Sequence, residues 1–200
     1  WHPNSCVVDA AGDLYVGLSD TMATSFGGGG LLKLDTAGNV ATFSPTPEWR
    51  GTDWVDLAAD QCTLFYTSEG PSIKKFDVCT NTQLTDFCTG CDGGAGGSFN
   101  ALRILADGGV LVSDPWAYPT GLVRRFDMTG AQTQTYTAAD SANECGDSGV
   151  DPCFYPWWLN LDPDTMSFWT ADDYTGQIFK FYIDTGALVD VPFVGGECGD

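Results

Sequence analysis

Hydrophobic runs of three or four residues follow one another along the whole chain, separated by stretches rich in Gly, Asp, Asn and Pro. Runs this short, bounded by turn residues and lacking helical spacing, predict β-strands. One arrangement recurs four times. A strand such as Leu14-Tyr15-Val16 is followed, after a loop, by a strand carrying a cation and an apolar residue at its end, then by a turn and a further strand. The copies are Leu14-Tyr15-Val16 with Lys33-Leu34-Asp35, Leu64-Phe65-Tyr66 with Lys75-Phe76-Asp77, Val110-Leu111-Val112 with Arg125-Phe126-Asp127, and Ser167-Phe168-Trp169 with Lys180-Phe181-Tyr182. Tyr15, Phe65, Leu111 and Phe168 lie 50, 46 and 57 residues apart, the spacing of four-stranded propeller blades. The pattern predicts an all-β chain, a β-propeller of four blades with four antiparallel strands each, which either closes as a four-bladed ring or forms part of a larger one. One domain over residues 1–200 holds blades at about 3–45, 53–90, 99–138 and 156–195.

Each blade opens on an inner strand that ends in a turn: Val7-Val8-Asp9-Ala10-Ala11-Gly12, Asp56-Leu57-Ala58-Ala59-Asp60, Ile104-Leu105-Ala106-Asp107-Gly108 and Leu161-Asp162-Pro163-Asp164. This order of strand, Asp-Gly-type turn and strand resembles NHL-type and gluconolactonase-like propeller repeats over nearly the whole chain. The resemblance is specific for fold and unspecific for activity. Aligning the turn positions Gly12, Gln61, Gly108 and Thr165 gives Asn4, Asp53, Asn100 and Trp157 equal places, eight residues earlier, where inner strands begin at the mouth of the central channel. The first three carry oxygens suited to a hard cation such as Ca²⁺ or Mg²⁺. In the gluconolactonase-like family, Asn and Asp at such places hold a divalent metal that polarises a lactone carbonyl, so the resemblance implies Asn4, Asp53 and Asn100 as ligands. That family also uses a Glu, where this chain has Trp157. The competing role for these residues is capping of inner-strand backbone groups. His2-Pro3 resembles the virginiamycin B lyase repeat, in which histidines serve metal binding and base catalysis. The one histidine present cannot fill both roles, and at the chain start it is expected to fray.

The net charge of −19 comes from 27 acids against eight Lys and Arg, and 23 of the acids are Asp. Asp bonds its own backbone in turns, which a turn-rich fold needs in number. A chain this acidic offers no surface for nucleic acid, whose phosphates require cations. No apolar run reaches the roughly 18 residues of a membrane span. An acid follows each second strand, at Asp20, Glu69, Asp114 and Asp172 with Asp173. These are read either as solvated turn carboxylates or as a negative rim that attracts cations or a basic partner.

Eight cysteines are expected to form bridges. A two-residue turn at Gly70-Pro71 would set Cys62 directly opposite Cys79. Cys145 and Cys153 bracket a loop and could clip it. Cys88 and Cys91 form a CxxC with neither the His of a c-type haem site nor the second CxxC of a zinc site. Cys6, in the first inner strand, and Cys198, after the last outer strand, would meet where a closed ring joins its ends. A Cys6–Cys198 clasp resembles the first-to-last-blade disulfide of four-bladed haemopexin-like domains. Such cysteine usage belongs to an oxidising compartment and predicts an exported protein, extracellular or at the cell surface. The chain begins at Trp1, as a mature product would.

Aromatic residues gather in loops, at Trp1, Trp49, Trp54, Trp116, Phe154, Tyr155, Trp157 and Trp158. Exposed, they would stack on sugar faces or anchor a protein; buried, they would fill the wedge between blades. No Ser-His-Asp order, nucleophile elbow or phosphate-cradling loop is present. The sequence therefore reads as a binding or structural assembly module. Asp53, Asn100, Trp116 and Trp157 are its expected contacts, and its partner is a protein, another copy of itself or a glycan. The alternative is a divalent-metal-dependent lactonase-like hydrolase or lyase.

Overall fold

A computed structural model describes residues 2–19, 30–94, 96–117, 120–138, 154–173 and 176–189. The described residues hold strands and turns and no helix. They form four antiparallel sheets of four strands, each in simple sequence order, as the repeat predicts for propeller blades. The chain divides into two compact units, Trp1–Cys91 and Asp92–Asp200, each with two blades.

In the first unit, blade one comprises β1 (His2–Val8), β2 (Leu14–Ser19), β3 (Leu31–Leu34) and β4 (Val40–Phe43), and blade two β5 (Val55–Leu57), β6 (Thr63–Tyr66), β7 (Lys74–Asp77) and β8 (Thr82–Gln83). Their inward side chains meet in one cluster of Tyr15, Leu31, Val55, Leu64, Tyr66, Phe76 and Val78. In the second unit, blade three comprises β9 (Leu102–Ile104), β10 (Val110–Asp114), β11 (Leu122–Phe126) and β12 (Gln132–Tyr136), and blade four β13 (Pro156–Leu161), β14 (Ser167–Asp172), β15 (Ile178–Tyr182) and β16 (Leu188–Val189). Aromatic rings dominate its core: Tyr136 lies edge-on to Phe168 and Phe181, and Phe154 edge-on to Phe179 and Phe181. Burying each such side chain contributes roughly 1.5–3 kcal/mol.

The recurring cation has a cross-strand partner. Tyr15 faces Lys33, Phe65 faces Lys75 and Trp169 faces Lys180, with the ammonium 5.0, 5.9 and 4.9 Å from the ring centre. In blade three Arg125 faces Leu111 instead. Trp169, not Phe168, is thus the fourth member of the repeat, and Phe168 turns into the core.

That offset of one residue comes from turn length. In blades one and three the first turn closes with Asp9 N–H on Asp13 C=O and Leu105 N–H on Gly109 C=O. In blades two and four it holds one more residue, Ala58 N–H reaching Thr63 C=O and Asp162 N–H reaching Ser167 C=O. The longer form is braced by Asp60 and Asp164. Each accepts two backbone N–H groups and, on its other oxygen, the hydroxyl of Thr63 or Ser167. The turn between third and fourth strands alternates likewise. Asp35 bonds Asn39 and Asp127 bonds Ala131 in blades one and three, whereas Asp77 pairs with Thr82 and Tyr182 bonds Ala187 in blades two and four.

Two disulfides are present among the described residues, Cys62–Cys79 and Cys88–Cys91. The first forms with a register one residue away from the expected one. Thr63 pairs with Asp77, so Cys62 faces Val78, and its carbonyl accepts the Val78 N–H at 2.9 Å. The Gly70-Pro71 dipeptide is not a two-residue turn. It lies at the centre of a wider loop into which Glu48 inserts, accepting the Ser72 N–H while its own N–H donates to the Ser68 hydroxyl. Cys6 is exposed, with no disulfide partner among the described residues, and Cys145, Cys153 and Cys198 lie outside them. His2, expected as a loose end, instead begins β1 and pairs with Ser19.

Candidate functional sites

The four positions aligned from the turns are structurally equivalent. Gly12, Gln61, Gly108 and Thr165 all adopt positive φ, at 88°, 61°, 82° and 59°, and the inner strands run back from them in step. The register of β1 slips between Pro3 and Ser5 and that of β13 between Pro156 and Trp158, which makes Asn4 and Trp157 the extra residues of β-bulges. Asp53 and Asn100 share the geometry. Asp53 N–H donates to Thr67 C=O while Thr67 N–H donates to Trp54 C=O, and Asn100, Ser113 and Ala101 repeat that exchange. At all four places two residues face one, which re-aims a side chain at the end of a strand.

In the first unit this geometry builds a polar cluster. The Asn4 amide donates to the Asp53 carboxylate from the neighbouring blade, and the Ser5 hydroxyl donates to the Asp53 carbonyl while accepting the Val55 N–H. Gly17 allows the approach, since a side chain there would strike the Thr52 carbonyl and Ser5. Asp53 is buried. Burial pushes its carboxyl up to about 6, against the opposing pull of the Asn4 amide, the Arg50 charge and the Ser19 hydroxyl. Beside it Glu69 is pushed up to about 7, first by burial and then by the Asp53 charge, with Arg50 opposing. Arg50 bonds Glu69 at 3.0 Å from a half-exposed position, where water weakens its hold. Glu69 also sits at φ 51°, in the left-handed region that side chains avoid. Among the described residues no group of three His, Cys, Asp or Glu side chains could hold a metal ion.

In the second unit the same strand ends carry aromatics. Trp116, on the loop after β10, is 51% exposed and stands edge-on to Tyr155, ring centres 4.8 Å apart. Tyr155 in turn stacks on Trp157 at 5.6 Å. The loop can approach because of Gly121, where a side chain would collide with the carbonyls of Phe154 and Pro115. Buried Phe154 anchors the segment from below. The Tyr155 peptide is clamped by the end of β14, its N–H donating to Asp172 at 2.6 Å and its carbonyl accepting the Asp173 N–H at 3.1 Å. Asn100 lies buried in this unit, next to Ser113, whose hydroxyl accepts the Ala101 N–H and reaches the Trp157 carbonyl.

The remaining candidates sort by burial. Trp49 and Trp158 are exposed, Trp54 is partly covered and Phe154 is core; Trp1 and Asp20 lie outside the described residues. Of the acids after the second strands, Asp114 and Asp172 are buried rather than solvated. Asp114 takes both the Nε and Nη2 of Arg124 at 2.8 Å and the Ser98 N–H at 3.2 Å. Among the described members of that set, only Asp173 faces solvent as expected. Three contributors were not singled out from sequence: Arg50, Tyr155 as the ring joining two tryptophans, and Gly121. The signal for Arg50 was available in its place between Trp49 and Asp53, among so few cations. For Gly121 there was none, because its tightest neighbour, the Phe154 carbonyl, comes from the segment that leads into the next blade.

No known protein family matches the sequence, and no curated protein does. Solved structures match in fold. Hydrazine synthase of Kuenenia stuttgartiensis superimposes with a TM-score of 0.64 at 12% identity, over 94% of this chain and 48% of that one. Virginiamycin B lyase from Staphylococcus aureus does so with a TM-score of 0.64 at 10% identity, over 94% of this chain and 54% of that one. A streptogramin B lyase gives a TM-score of 0.59 at 15% identity, over 94% and 53%. The chain spans about half the length of these structures. At such identities the likeness concerns the fold, and the fold is that of a β-propeller.

Proposed function

We propose that this chain is an exported binding or assembly module of the cell surface or extracellular matrix, and that it holds its partner through the Trp116–Tyr155–Trp157 patch. One observation carries the reading. Trp116 is half in solvent, yet it is fixed by a ring contact to a clamped tyrosine, so its indole is both accessible and pre-ordered. A rigid exposed aromatic offers contact area at little entropic cost, which is what recognition of a protein or a sugar face uses. The two disulfides support an oxidising compartment, and no helix among the described residues is long and apolar enough to cross a membrane. Kinship to NHL-type and gluconolactonase-like propellers is part of this reading, supported by the repeat and the fold. Sedimentation and glycan-array binding of the chain and its Trp116→Ala variant test it. Loss of self-association or of glycan binding in the variant supports the patch, and unchanged behaviour removes it.

A second reading rests on the Asn4–Asp53 contact. A divalent cation there, Ca²⁺ or Mg²⁺, would have the Asp53 carboxylate and the Asn4 amide oxygen as donors, with Glu69 close enough to be felt electrostatically. Bound, it would supply polarisation of a carbonyl, as lactone hydrolysis needs. Native mass spectrometry before and after chelation decides it: a stoichiometric divalent ion lost on chelation supports the hydrolase, and a metal-free chain removes it.

A further inference from the structure

All eight Lys and Arg residues of the sequence are engaged within the fold. Lys33 pairs with Asp9 and Asp13, Arg50 with Glu69, Lys74 with Asp86, Arg124 with Asp114, Arg125 with Asp107 and Asp184, and Lys180 with Asp162 and Asp164. Lys75 lies over Phe65, and Arg103 bonds Asn160. No Lys or Arg is left over in a chain that carries 27 acids and a net charge of −19.

The fold also contains a worked instance of what such a surface can receive. In blade four Asp162 accepts the Trp169 indole N–H and the Lys180 ammonium, each at 2.7 Å, and Lys180 lies over the Trp169 ring. Indole, carboxylate and cation form one constellation, with the cation supplied by the chain itself. At Trp116 an indole and an acid again come from neighbouring segments, through the backbone of one and the ring contact of the other. The indole is exposed, and Asp173, also exposed, is tied by its N–H to the carbonyl of the tyrosine that Trp116 touches. No Lys or Arg among the described residues lies over Trp116, and all eight have partners elsewhere.

Resting on the binding-module reading, we propose that the Trp116–Tyr155–Trp157 patch receives an Arg or Lys side chain from a basic segment of a protein partner. The cation stacks on the indole face, Asp173 supplies the opposing charge, and the negative field of the molecule speeds the encounter. A neutral sugar would use the ring and leave the charge idle.

Fluorescently labelled hexa-arginine, titrated by anisotropy into the chain and its variants, tests this, with neutral chito- and cello-oligosaccharides in parallel. The expected result is that hexa-arginine binds, about 10-fold more weakly to Trp116→Ala and several-fold more weakly to Asp173→Asn, as loss of a cation–π contact and of its counter-charge predicts. Equal binding to the chain and to Trp116→Ala would assign the attraction to diffuse charge and overturn the proposal. Oligosaccharide binding lost in Trp116→Ala, with no hexa-arginine binding, would keep the patch and overturn the cation. Binding of neither probe would overturn the cationic partner, and unchanged sedimentation of Trp116→Ala would then remove the patch as well. Should Trp116→Ala fail to fold by circular dichroism, Trp116→Phe, which keeps a ring with a weaker face, is expected to show an intermediate loss, and wild-type affinity there would overturn the proposal.

Discussion

Thr165 holds φ 59° at a place where its counterparts Gly12 and Gly108 hold φ 88° and 82°. A β-branched side chain in that region costs on the order of 1–2 kcal/mol, and glycine relieves it while giving back part through unfolded-state entropy. Thr165→Gly should therefore raise stability by about 1 kcal/mol and Gly108→Thr lower it by about 1–2 kcal/mol, read from urea midpoints. Asp53 makes the opposite kind of statement, through pH. Its carboxyl ionises near 6 in the fold against 3.8 for the ordinary group, so the unfolded chain releases the proton first. Below pH 3.8 both states hold the proton and stability is unaffected. As pH rises from there to about 6 stability falls, and above 6 the loss is complete. Asp53→Asn keeps an acceptor for the Asn4 amide and removes the loss. Its melting temperature should exceed the parent's by an amount that grows between pH 4 and pH 7, and a constant difference would refute the assignment. The positions of Thr165 and Asp53 were legible in the sequence, because each lies at a fixed distance from a turn. The environment of Asp53 was not. Burial, Arg50 and Glu69 reach it from loops whose paths a single chain does not disclose.

At the scale of elements, the strands were legible because their inward residues alternate with turns made by Asp and Gly. Turn lengths were less so. The one extra residue in blade four moved the repeat from Phe168 to Trp169, and the loop around Gly70 opened because Glu48, 24 residues from Ser72 in sequence, fills it. The Cys62–Cys79 bridge survives the altered register because Cys79 follows directly on the residue paired with Cys62, leaving the Cα atoms 5.2 Å apart. With its ends 17 apart in sequence, it restrains the unfolded chain by roughly 3 kcal/mol. The double variant Cys62→Ala, Cys79→Ala should lose about that much in urea unfolding, whereas removing Cys88 and Cys91, only three apart, should cost distinctly less.

For the whole molecule, the engagement of every cation leaves self-repulsion among the remaining acids as the main long-range force. Salt screens repulsion between exposed like charges more than it weakens buried pairs such as Arg124 with Asp114. Raising NaCl from about 10 mM to about 1 M should therefore raise the melting temperature by several degrees in calorimetry. A fall would mean that the internal ion pairs outweigh the repulsion. The alternation of turn lengths carries a different consequence, about which parts are interchangeable. The first and last turns run short, long, short, long through the four blades. Asp60 therefore occupies the place of Asp164, and Asp35 that of Asp127, across the two units, while neighbours within a unit differ. Sequence grafted between blades one and three, or between two and four, inherits a matching turn; sequence grafted between neighbours does not.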